Sequence, residues 1–95
     1  MIKQPEQNQN KVAIDIVSRL YFDLLATDSS LPTDWVFDTS IRLAMSFCDQ
    51  LMTVYELIDT SNPKADYFAA DMFLFYRQVK KIIPQIKFNQ LKIQE

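Results

Sequence analysis

The chain has 95 residues, a net charge of −2, no histidine, no glycine and a single cysteine. That size suits one domain with a modest core. The missing glycine argues against tight hairpin turns and removes every glycine-based phosphate loop. The missing histidine removes Ser-His-Asp and Cys-His catalysis and histidine-based zinc or di-iron sites.

Hydrophobic residues make up 48% and aromatics 13%, a globular composition. No apolar run approaches the ~20 residues of a membrane span, so no membrane association is expected. The polar start, MIKQPEQNQNK, lacks the apolar centre of a signal peptide. One cysteine makes no intrachain disulfide, which points to a reducing cytoplasm. Charge is split along the chain. Residues 1–75 hold eleven acids against five bases (−6), and residues 76–95 hold five bases against Glu95 (+4).

In chain order, residues 1–10 read as a flexible polar lead. A first helix is expected from about Asn10 to Ala26, with Ala13, Val17, Leu20 and Leu24 at the centre of its apolar stripe. Ile14, Ile16, Tyr21 and Leu25 flank that stripe. Phe22 falls on the other side with Asp15, Ser18 and Arg19, and is a contact candidate. Thr27–Thr33 is a turn-rich connector.

The central element is residues 34–59, one long helix. Phe37, Ile41, Ala44, Cys48, Leu51, Tyr55 and Ile58 recur at spacings of three and four. Met45 and Met52 widen the stripe on one edge; Leu43, Phe47, Val54 and, outside the main arc, Leu57 widen it on the other. The apolar arc is roughly 200°, about twice that of an ordinary surface helix. Thr33 or Asp34 is a candidate cap. Alternatively Asp38 caps the helix, and Trp35, Val36 and Phe37 plug the bundle end in a short 3₁₀ turn. Trp35 lies off the main stripe, which suits that plug or a partner surface.

Ser61-Asn62-Pro63 closes this helix and opens a third, Pro63 to about Ile83, antiparallel to the second. Its stripe is Ala65, Phe68, Met72, Tyr76, Val79 and Ile83. Tyr67 and Leu74 lie opposite, with Gln78 and Lys81. Pro84 ends or kinks the helix. In the tail, 85–95, Ile86, Phe88, Leu91 and Ile93 fit one side of either a strand or a short fourth helix.

The fold class expected for the single domain 1–95 is therefore all-α: an antiparallel bundle of three main helices plus a short C-terminal segment. Cys48 sits on an apolar face and reads as an inert core thiol. The close acid pairs, Asp34 with Asp38 and Asp66 with Asp71, sit near helix starts, where the dipole favours them. No catalytic set, cofactor or metal site is expected. The surplus apolar surface implies a non-catalytic protein that self-associates or docks on a protein partner. Its candidate partner-binding residues are Phe22, Trp35, Leu43, Phe47, Val54, Tyr67 and Leu74. A second reading uses the basic end for nucleic acid, through Arg42, Arg77, Lys80, Lys81, Lys87 and Lys92. A third is an acidic inhibitor that imitates nucleic acid.

The order of features is similar to a known family. Leu31-Pro32 and an aromatic-containing start lead into a helix bearing Ile41-Arg42-Leu43-Ala44. A later helix carries Tyr67-Phe68-Ala69-Ala70-Asp71 and Phe75-Tyr76-Arg77. Over residues 16–83 this resembles the four-helix-bundle proteins encoded in ribosomal-RNA intervening sequences, and the accessory variability determinants of diversity-generating retroelements. The resemblance implies assembly into rings and, in the retroelement case, binding of a reverse transcriptase and nucleic acid. Arg42, Arg77, Lys80 and Lys81 would then face that partner. Two features depart from the family: the acidic balance of residues 1–75 and the absence of a glycine-containing C-terminal segment.

Overall fold

The computed structural model describes the backbone of residues 5–57 and 63–91, and the side chains of residues 8–57 and 70–91. Three helices pack mutually: α1 (Pro5–Thr27), α2 (Thr33–Glu56) and α3 (Pro63–Ile82). Two 3₁₀ turns follow, Ile83–Gln85 and Phe88–Gln90. The protein is an all-α bundle of three helices with a short C-terminal piece.

The helix α1 starts earlier than periodicity indicates. Pro5 opens it, so residues 5–10 are helical and not a flexible lead. Proline suits a first helical turn because the N–H it lacks has no intrahelical partner there. The buried face of α1 is Ala13, Val17, Ser18 and Tyr21. Leu20 and Leu24 are half-buried at its edge, so the stripe is rotated towards Tyr21 relative to expectation.

The connector is held by Asp28, whose Oδ1 accepts the Ser30 backbone N–H at 3.0 Å and the Ser30 hydroxyl at 2.6 Å. The hydroxyl first, and the N–H with it, hold the Asp28 carboxyl below its ordinary range. Pro32 is the residue before α2, and no side chain caps that helix. The first turn is regular helix, so neither the expected Thr33 or Asp34 cap nor the alternative 3₁₀ plug forms.

The buried row of α2 is Val36, Ser40, Ala44 and Cys48, four residues apart each time. All four are small, which lets α1 and α3 approach α2 closely. The Ser40 hydroxyl donates to the Val36 carbonyl at 2.7 Å, so its burial leaves no unsatisfied group. Phe37, Ile41, Leu51 and Tyr55 are half-buried beside this row. Burial on both flanks of a row of small residues leaves the bulkier Leu43, Phe47 and Val54 on the outer flank.

Helix α3 contributes Val79, and Ile83 of the adjoining turn is fully buried. The rings of Tyr55 and Tyr76 stack at 6.0 Å across α2 and α3. Ala65 and Phe68 of the expected stripe, the Ser61-Asn62 link and Ile93 lie outside the described side chains. Over its described residues, 85–91, the tail is neither strand nor α-helix. It folds back in one short 3₁₀ turn that buries Ile86 and Leu91 against the same chain.

Candidate interaction surface

Leu43, Phe47, Val54 and Leu57 form an exposed apolar row along α2 and its last turn. Their spacings of four, seven and three place them within about 80° of arc at about 100° per residue. Phe47 is 44% exposed and Leu57 is 80% exposed. Gln50, also exposed, occupies the gap in the row. Phe47 forms one wall of a depression of about 350 Å³ whose other walls are Asp15, Ile16, Arg19 and Leu20 of α1. The apolar surface therefore continues from α2 onto α1.

Trp35 stands apart from this row, 51% exposed in the first turn of α2. Asp34 and Asp38 are exposed beside it. Leu74 is exposed on the outer side of α3, with Arg77, Gln78 and Lys81 near it in sequence. Tyr67 lies outside the described side chains.

Phe22 belongs to a different environment from the other candidates. It is half-buried, edge-on to Tyr21 at 5.1 Å, and shares a depression with Leu25, Phe88 and Leu91. The returning tail covers it, which the helical wheel alone does not reveal. Among the described residues, two exposed large apolar side chains lie outside the partner-binding candidates: Leu57, placed by the sequence only at the edge of the arc, and Phe88, 52% exposed. Leu57 was legible, since it continues the 43–47–54 row by one more step of three.

Of the basic candidates, Arg77, Lys80 and Lys81 converge. With Met45, Met52 and Pro84 they line a groove of about 390 Å³ between α2 and the end of α3. The Lys80 ammonium donates to Asp49 Oδ1, so that cation is already paired. The Arg77 guanidinium lies over the Phe73 ring, 5.8 Å from its centroid. Arg42 and Lys87 are exposed but do not line this groove, and Lys92 lies outside the described residues.

Cys48 is fully buried. Burial pushes its thiol up, Asp49 adds to the shift, and Lys80 opposes it. Such a thiol is a poor nucleophile at neutral pH. Tyr76 is raised as well, chiefly by burial and then by Tyr55 and Cys48. Among the described residues no three acids or cysteines gather as a metal site, and no helix is long and apolar enough to cross a membrane.

Compared with protein-family models, curated proteins and solved structures, the chain finds no match.

Proposed function

We propose that the chain is a non-catalytic helical assembly module, which associates with copies of itself or with a protein partner through the outer flank of α2. The observation that carries this is the aligned exposed row Leu43, Phe47, Val54 and Leu57, extended onto α1 by Ile16 and Leu20. Exposed apolar residues scattered singly need no explanation, whereas an aligned set marks a contact surface. Its spacings of four, seven and three keep it on one side of the helix, the side along which a second helix can pack.

Sedimentation at micromolar concentration tests the reading. The wild type is expected to run heavier than one chain, alone or with its partner. Phe47→Glu is expected to return it to one chain without lowering its thermal midpoint by more than a few degrees. A wild type that stays monomeric, binds no hydrophobic dye and captures no partner would overturn the reading.

A second reading, an accessory subunit of nucleic-acid machinery of the reverse-transcriptase type, has one observation in its favour: Arg77 and Lys81 share a groove. Asp49 beside Lys80 lowers the positive charge there, so assembly is the better supported. Binding to RNA or DNA strengthens as salt falls, so its absence at low salt would remove this alternative.

A further inference from the structure

We infer that the groove between α2 and α3 receives Trp35 of a second copy of the chain. This rests on the assembly reading but uses a different surface from the Leu43–Leu57 row.

Three observations carry it. First, the groove has an apolar floor of Met45, Met52 and Pro84, with Arg77 and Lys81 exposed at its rim. Methionine moulds itself to irregular shapes and makes favourable sulfur contacts with aromatic rings. Second, Trp35 is half out in water on a regular helical turn and does not line the groove of its own chain. Tryptophan is enriched among the few residues that carry most of the binding energy of protein interfaces. Third, the charges match. Asp34 and Asp38 are exposed one residue before and three residues after Trp35, and neither has an ion pair among the described residues. A Trp35 ring seated on the methionines brings these two carboxylates towards Arg77 and Lys81. Two acids of the acidic stretch 1–75 and two bases of the basic stretch 76–95 then meet across one contact. Lys80 takes no part, because Asp49 already holds it.

A second copy supplies both halves, which makes it a better-matched occupant than an unrelated acidic chain. The contact joins unlike patches, so each copy offers one anchor and one groove.

Trp35 is the only tryptophan, so intrinsic fluorescence reports its surroundings. Emission is expected to be blue-shifted at high protein concentration and to move red on dilution. The red shift should come at lower dilution when salt is raised. Asp34→Lys/Asp38→Lys and Arg77→Glu/Lys81→Glu should each weaken association at least tenfold. An equimolar mixture of the two should restore it, since the reversed anchor then fits the reversed groove. Trp35→Ala, a change at an exposed position, should weaken association while preserving the far-ultraviolet dichroism.

Emission that is unchanged by dilution, or a mixture that fails to recover, would overturn the inference. If Phe47→Glu abolishes assembly while both charge variants assemble like wild type, the α2 row is the interface and the groove contact falls alone. If a single-stranded RNA oligonucleotide binds the wild type but not Arg77→Glu/Lys81→Glu, with Trp35 emission fixed on dilution, the groove serves phosphate and the inference is overturned.

Discussion

Phe88 stands edge-on to Tyr21, 5.4 Å between ring centroids, and edge-on to Phe37 at 5.8 Å. One ring of the tail thus bridges α1 and α2. Edge-to-face aromatic pairs contribute about 0.5–1.5 kcal/mol beyond the area they bury. Because Phe88 is half-exposed, Phe88→Ala is expected to cost about 1–2 kcal/mol. Leu91→Ala, at a buried position, is expected to cost about 2–3 kcal/mol. Urea denaturation of both variants checks this, and equal midpoints with wild type would show that the tail does not hold the bundle.

Ser40 is the polar residue at the centre of α2. Ser40→Ala removes one hydrogen bond to a carbonyl within the helix, so a change of about 1 kcal/mol or less is expected. Ser40→Leu forces two extra non-hydrogen atoms and a branched side chain into a fully buried position and should cost about 1–3 kcal/mol or more. Thermal melts of the two variants separate a size requirement from a hydroxyl requirement.

The Asp49–Lys80 ion pair joins α2 to α3, yet both side chains keep substantial contact with water. Lys80→Ala should therefore cost no more than about 1 kcal/mol. That cost should shrink as salt rises. A double-mutant cycle with Asp49→Ala, measured at low and high salt, gives the coupling directly.

Cys48 and Tyr76 share one sign of pH dependence. Each is neutral when protonated, and folding raises the pKa of each. The unfolded chain therefore loses these protons at lower pH than the folded one, and stability falls as pH rises. The decline should begin above the ordinary thiol range, about 8.5, and steepen above the ordinary phenol range, about 10. Cys48→Ala should flatten its first part. In native protein at neutral pH the Cys48 thiol should react with a disulfide reagent only as fast as the bundle opens. Rapid stoichiometric labelling would contradict the burial seen here.

Asp28 behaves in the opposite sense. Its lowered carboxyl favours the folded connector above the ordinary carboxylate range, and that contribution fades as pH falls. Ser30→Ala should move the Asp28 carboxyl back up, as read by carbon-detected titration.

The helices and their order were legible because apolar residues recur at helical spacing and Pro63 marks the start of α3. Periodicity placed Ala13, Val17, Ala44, Cys48, Val79 and Ile83 on the stripes, and all six are buried. What it did not locate was the N-terminal half of the buried row of α2, where Val36 and Ser40 lie inside in place of the larger Phe37 and Ile41, which are half-buried. The same choice turned Trp35 outwards and not into a plug. In α1 the first two turns carry almost no apolar residues, so no periodic signal announced them. Phe22 falls on the polar side of the helical wheel, yet it is half-buried beside a depression shared with Phe88 and Leu91, residues far from it in sequence. Most of the exposed row was nameable residue by residue, since its members sit at the edge of an arc too wide for two neighbours to cover.

The returning tail has a consequence for the order of folding. Leu91 and Phe88 border the same depression as Tyr21 and Phe22, about seventy residues away along the chain. A contact of that sequence separation carries a larger loop-closure cost than the contacts between neighbouring helices. The seam along α1 is therefore expected to close last, after the three helices have paired.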